Sequence, residues 1–495
     1  MTTLAPVLLL IAPLLAALLS LAARTPRAMA VLQSAHAAVI LFASCVVAVD
    51  VAAGHEALHV HLIRIDALGA LMVAMLGFVG ATGLLYAVGY LDEELARGHV
   101  SPHRHRLFFF LFDLFLLTMF AAVSVDNIAL MWIAIEGSTL AGALLVGFDR
   151  TKTALEAGWK FIILNFMGIA LALFGTVLVY YASERVLGVD MDALSWFALS
   201  QAAAGLDPMV LKLAFIFVLI GYGTKAGVAP MHTWLPDAHA EAPTPISAML
   251  SGLSLNLALY AVLRFKVIVD LAAGADFTGP LLWGLGLLSI GIAAILMLIQ
   301  RDYKRLLAYS SVEHVGISLV GFGLGGPLGI FAGFFHMLNH ALAKSTAFYA
   351  VGTVLLRHGH RVIHRVTGLL RQSPPEGIGL LLAAVALAGM PPFGLFFSEV
   401  LIVIVAYQVT PWLAVFLLGL LALAFAGLYI HCSRMTLGSP REPGRAPGAV
   451  SRGFTVAALS LNLAAMAVIG LSLPSVLRDL LGPMTALFGV EVSLP

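Results

Sequence analysis

Residues 336–344, HMLNHALAK, set His336, His340 and Lys344 four residues apart within a long apolar run. At about 100° per residue this spacing places all three within an arc of about 80° on one helix face. Imidazoles and an amine in file can hold protons and water. The alternative is that the histidines donate to carbonyls of a neighbouring helix while Lys344 reaches an interface. Three further ionisable residues lie in equally apolar surroundings: Glu136 in NIALMWIAIEGSTLAGALLVGF, Lys225 in KLAFIFVLIGYGTKAGVAPM and Glu399 in LAGMPPFGLFFSEV. Each would cost roughly 2.5–3.5 kcal/mol at mid-bilayer, so each needs a partner or a water-filled cavity. Glu136 and Lys225 carry opposite charge at similar depth, and pairing is the simplest way to tolerate both. Such a pair is either a fixed structural contact or a switch, since moving the carboxylate away would make a buried lysine release its proton. Lysine suits that role where arginine does not, because arginine keeps its charge.

Other polar residues admit two readings. Glu156 and Lys160, spaced i, i+4, form an interfacial pair or an accessory site. Asp113 lines the same axis or meets a neighbouring helix. Glu313 and His314 are adjacent in AYSSVEHVGISLV, so they face different directions and one of them can reach the central file.

The elements that must position these groups follow from composition. Hydrophobic residues make up 61% of the 495, charged residues 11%, and the mean hydropathy is +1.01. These values exclude a soluble multidomain protein. In lipid every backbone group must be paired internally, so runs of about 20 apolar residues form helices. The expected fold is all-α and polytopic. About fourteen transmembrane helices are expected, near 4–22, 28–53, 68–90, 107–122, 126–147, 158–182, 209–230, 243–269, 280–300, 304–324, 328–356, 376–407, 411–433 and 454–473. The first apolar run has no Lys or Arg ahead of it, as expected of a retained helix and not of a cleaved signal peptide. Lys and Arg concentrate in the odd-numbered connections, for example Arg104 and Arg106, Arg301 and Lys304, and Arg361 and Arg365, with Arg64 and Arg185 in the even ones. The positive-inside rule then places both termini on the outer side.

Proline and glycine interrupt the seventh segment (TKAGVAPMHTWLPDA) and the twelfth (LAGMPPFGLFFSEV). Paired interruptions in two halves point to inverted repeats. The expected division is residues 1–106, a first repeat over 107–270, a second over 280–435, and 454–495 as a final helix and tail.

Net charge is +1, so nothing in the charge balance points to nucleic acid. Cys45 and Cys432, the only two cysteines, cannot ligate an iron–sulfur cluster within the chain. Two motif matches fail on context. HEALH, 55–59, fits a zinc-protease pattern, but it falls in a short loop followed by HVHLIRID, which alternates like a strand. GFGLGG, 321–326, fits a dinucleotide-binding pattern without the strand and soluble unit that pattern requires. No metal or cofactor site is expected in this chain.

The stretches GTKAGVAPMHTWLPDAHAEAPTPISAML, DYKRLLAYSSVEHVGIS and FHMLNHALAKSTAFYAVG resemble the antiporter-like proton-translocating membrane subunits of complex I, Mrp antiporters and group 4 membrane-bound hydrogenases. SSVEHVGI and LSGLSLNLALY look most like the hydrogenase-4 component F type. The resemblance implies fourteen helices, two inverted five-helix repeats and a central polar axis. It assigns Glu136 and Lys225 to the family's ion pair, His336, His340 and Lys344 to the connecting relay, and Glu399 to the terminal position. Where several relatives carry histidine or lysine on the eighth helix, this chain has Ser251 and Asn256, so the link there would pass through hydroxyls and water.

The function expected is a proton-translocating subunit of a redox-driven complex in the plasma (inner) membrane of a prokaryote. Its partners would be other membrane subunits and a peripheral hydrogenase-like or quinone-reducing module. Two alternatives stand beside it: a non-pumping scaffold for an enzyme module, and sodium/proton or bicarbonate-linked transport.

Overall fold

The computed structural model describes residues 4–54, 58–60, 62–442, 444–445 and 448–488. The helices in order are α1 (Ala5–Ala22), α2 (Pro26–Ala52), α3 (Ala67–Ala96), α4 (Pro102–Ser124), α5 (Ile128–Val146), α6 (Lys152–Leu187) and α7 (Trp196–Ala202). They continue with α8 (Pro208–Ala226), α9 (Leu235–Glu241), α10 (Thr244–Met249), α11 (Leu255–Ala273), α12 (Ala275–Leu298), α13 (Tyr303–Leu324) and α14 (Gly326–His358). The last are α15 (Leu369–Gln372), α16 (Pro374–Leu387), α17 (Gly394–Val409), α18 (Pro411–Thr436), α19 (Ala449–Leu471) and α20 (Ser475–Leu487). Among the described residues, eleven helices are long and apolar enough to cross a membrane.

Helix starts are written locally. The side chains of Thr25, Asp66, Ser101, Asn127, Thr151, Asp207 and Asp302 each accept from a backbone N–H in the first turn of α2, α3, α4, α5, α6, α8 and α13. Such caps contribute about 1 kcal/mol each by satisfying amides that have no partner within the helix. The strand β1 (Leu58–Val60) pairs antiparallel with β2 (Ile63–Ile65), in line with the alternation of HVHLIRID. Most of HEALH lies outside the described residues.

All fourteen expected segments are helical, and two are interrupted where proline and glycine predict it. The segment near 209–230 stops at Ala226. Gly227 takes φ 74°, the left-handed region open to glycine, and the chain resumes through a 3₁₀ turn into α9. The segment near 376–407 is split into α16 and α17 by residues 388–393. A third irregularity was not visible in the sequence: Leu250–Ser254 forms a π-helical turn between α10 and α11. Such turns gather at functional sites.

Residues 244–269 are all buried inside the bundle. α14 packs against α3, α13, α16, α17 and α19, which makes it the second buried axis. Close crossings rest on small residues. A Cβ at Gly221 of α8 would sit 2.5 Å from the Ala172 amide of α6, and one at Gly286 of α12 would sit 2.6 Å from the Gly316 carbonyl of α13. Backbones can approach this closely only where side chains are absent.

Candidate functional site

The polar residues gather at three stations along the two buried axes. The first joins α5 and α8. Lys225 is 1% exposed, and its Nζ donates to Thr139 Oγ1 at 2.7 Å. Glu136 stands one turn before Thr139 on α5 and is only partly buried, with Oε2 lacking a hydrogen-bond partner. No nitrogen–oxygen contact within 4.0 Å joins Glu136 to Lys225 among the described residues. Thr139 is therefore the lysine's direct partner, and the pairing expected from charge alone is a longer-range attraction.

The second station lies at the π-helical turn. Ser251 Oγ is 2.7 Å from Ser311 Oγ of α13. Ser311 Oγ and Lys344 Nζ both donate to the Leu307 carbonyl, each at 3.0 Å, so a carbonyl on α13 links the serine pair to the lysine of α14. Asn256 Nδ2 donates to the carbonyls of Gly252 at 2.9 Å and Met337 at 3.3 Å, tying α11 to α14. Glu313 is buried on α13, and its Oε2 has no hydrogen-bond partner. Between Lys225 and Ser251 no side-chain hydrogen bond bridges the gap among the described residues.

The third station is a histidine cluster. His314 Nδ1 is 3.0 Å from His336 Nε2, and His336 Nδ1 is 2.9 Å from Ser398 Oγ at the start of α17. The His340 ring stacks on His314 with centroids 5.2 Å apart. His314, His336, His340 and Ser398 have no exposed surface. One ligand-type atom from each of His314, His336 and Glu399 lies within 4.8 Å of the others. A hydrogen bond between the two imidazoles occupies a lone pair that a metal would need. Glu399 follows the break before α17, close to Gly389: that glycine takes φ 62°, the left-handed region, and a Cβ there would lie 2.1 Å from Glu399 Oε2.

The structure brings Lys344, His336, His340, Glu313, His314, Ser251 and Asn256 to one file, with Glu399 at its end. Glu313 and His314 do diverge: the imidazole meets His336, and Glu313 Oε2 is buried without a hydrogen-bond partner. Two accessory candidates stand elsewhere. Asp113 is buried with Ser20 Oγ at 3.2 Å, Gln33 Nε2 at 2.9 Å and His36 Nδ1 at 3.0 Å, a contact that fastens α4 to α1 and α2. Lys160 pairs with Glu156 at 2.7 Å, the i, i+4 contact read from spacing, and with Asp237 at 3.0 Å. It is 45% exposed, within a surface network that also holds Arg305 on Asp237 and Arg361 on Glu241.

Several polar groups escaped the sequence reading. His239 of α9 is fully buried with neither ring nitrogen partnered, and its ring meets Phe348, one turn beyond Lys344. Lys304 is buried, donating to the Ala242 carbonyl at 2.5 Å. Both are ionisable residues in stretches quoted above, which was the available signal. Nothing local marks Ser311 or Ser398. Arg264 is also buried, forked onto Asp66 at the N-terminus of α3.

Residues 125–425 match the family model described as NADH:quinone oxidoreductase/Mrp antiporter, TM. The chain is 44% identical over 377 residues to a hydrogenase-4 component F homolog of Methylacidiphilum infernorum (isolate V4), covering 76% of this chain and 79% of that protein. It is 27% identical over 394 residues to NADH-quinone oxidoreductase subunit N of Desulforudis audaxviator (strain MP104C), covering 79% and 75%. A chain of the membrane-bound sulfane sulfur reductase, an archaeal respiratory membrane complex, superposes with a TM-score of 0.85 at 23% identity over 99% of this chain and 98% of that chain, a likeness of fold.

Proposed function

The chain belongs to the NADH:quinone oxidoreductase/Mrp antiporter family of membrane proteins, and from that premise we propose that it is a proton-translocating membrane subunit of a redox-driven complex. The observation that carries this reading is the file running from Ser251 through Lys344 to the His314–His336 pair, with Glu399 at its end. Structural pairing would favour closed ion pairs. Here Glu136, Glu313, His239 and His340 keep buried atoms without partners, and groups of that kind can exchange protons with water.

In this reading the polypeptide crosses the membrane fourteen times, with inverted repeats over 107–270 and 280–435 and both termini on the outer side of a prokaryotic plasma membrane. Protons enter near Glu136 and Lys225, cross by water to Ser251, and continue along α14 toward Glu399. Moving one charge against 100 mV requires about 2.3 kcal/mol. A partner redox module, hydrogenase-like as the component F relative's name implies, supplies that driving force through other membrane subunits.

The test is proton uptake by sealed vesicles holding the whole complex, with electron transfer recorded in parallel, for wild type and Lys225→Ala. Loss of uptake with the complex intact supports the reading. Unchanged uptake and unchanged electron transfer overturn it in favour of a non-pumping scaffold, and a dependence of uptake on sodium would redirect it to cation exchange.

A further inference from the structure

The single hydrogen of the Ser398 hydroxyl decides how protons sit in the histidine cluster. Ser398 Oγ lies 2.8 Å from the Leu395 carbonyl in its own helix and 2.9 Å from His336 Nδ1. A carbonyl only accepts, so the hydroxyl donates to Leu395 and has only a lone pair left for the histidine. His336 Nδ1 therefore carries its hydrogen and donates it to Ser398. In a neutral imidazole the other nitrogen is then a bare acceptor. That nitrogen, His336 Nε2, is 3.0 Å from His314 Nδ1, so His314 donates from Nδ1. By the same rule His314 Nε2 is left with a free lone pair, and that atom is buried without a hydrogen-bond partner.

We propose that Ser398 is a positioning residue that sets this tautomer order, making His314 Nε2 the atom where a proton enters the pair and His336 the ring where it comes to rest. The inference deepens the proton-translocating reading and rests on it. In the step, an arriving proton forms a new N–H bond at His314 Nε2. The His314 Nδ1–H bond breaks, and its proton bonds to His336 Nε2. His314 is again neutral, in the opposite tautomer, and His336 is an imidazolium. One proton is taken up and nothing is oxidised or reduced. The Nδ1–H of His336 stays on Ser398, and Glu399, in the same cluster, supplies the balancing carboxylate. Without the Ser398 oxygen the order can reverse. His314 Nε2 would then hold a hydrogen, and the entry point would be closed.

The experiment uses membranes holding the intact complex with ¹⁵N-labelled histidine rings. His336 signals are assigned by difference against His336→Gln, and proton uptake per electron is measured on the same preparations. The wild type is expected to show His336 protonated at Nδ1. Ser398→Ala is expected to lose that preference and several-fold of its proton uptake, with electron transfer retained, and Ser398→Thr should restore both. Wild-type His336 protonated at Nε2 overturns the inference, as does Ser398→Ala with an altered tautomer and full uptake. If Ser398→Ala fails to assemble, the wild-type spectrum and Ser398→Thr still decide. A wild type that moves no protons sinks the transport reading instead, an outcome told apart by the uptake measurement.

Discussion

Lys225 Nζ lies 2.7 Å from Thr139 Oγ1, one turn beyond Glu136 on the same helix. The hydroxyl holds the amine in place without neutralising it, and the carboxylate acts on that amine from a distance. Thr139→Val keeps the shape of the side chain and removes the acceptor. An unsatisfied buried donor costs about 1–3 kcal/mol, so the lysine should be displaced and proton uptake should fall several-fold while electron transfer continues. Thr139→Ser should behave as wild type in the same vesicle assay.

Arg264 is clamped at the rim of the bundle. Its Nη2 is 2.7 Å from Asp66 Oδ1 and its Nη1 is 2.5 Å from Oδ2, and the guanidinium lies 4.3 Å from the Trp196 ring and 4.9 Å from the Tyr260 ring. Breaking a buried pair by removing one partner typically costs about 3–5 kcal/mol. Arg264→Ala should lower the thermal unfolding midpoint of the detergent-solubilised protein clearly. Arg264→Lys should recover only part of the loss, because an ammonium cannot reproduce the planar fork.

The α6–α8 crossing should not tolerate a methyl group. At Gly221 a Cβ would meet the Ala172 amide at 2.5 Å and the Gly168 carbonyl at 2.6 Å, both backbone atoms that cannot swing aside. Gly221→Ala is expected to cost about 1–3 kcal/mol through forced separation of the helices. Since α8 carries Lys225, it should also lower proton uptake. Equal thermal stability in the variant would refute the packing argument.

Outside the spans, Arg365 Nε lies 3.0 Å from Glu442 Oε1 and holds that carboxyl below its ordinary range. A carboxyl depressed in the folded state contributes stability above its unfolded value and loses it as pH falls through the folded one. Amide exchange near residues 437–442, corrected for its intrinsic rate, should therefore quicken as pH falls below the ordinary glutamate range. Arg365→Gln should remove that step.

The sequence by itself determined what depends on neighbours within a few residues. Runs such as 411–433 had to be helices because lipid offers their amides no other partner. The stops at Gly227 and before α17 followed from glycine and proline, and the shared face of His336, His340 and Lys344 followed from helical pitch. Glu156–Lys160 was legible for the same reason. What only the tertiary structure decided are the contacts between helices far apart in sequence. Asp113 went to α1 and α2 because α4 packs there, and Thr139, not Glu136, became the hydrogen-bond partner of Lys225. Ser311 and Ser398, ordinary serines in apolar helices, entered the file through the faces that α13 and α17 turn toward α14. Burial makes every polar group in such a bundle costly, but which one meets which is set by helix rotation and crossing, and those are properties of packing that no local spacing records.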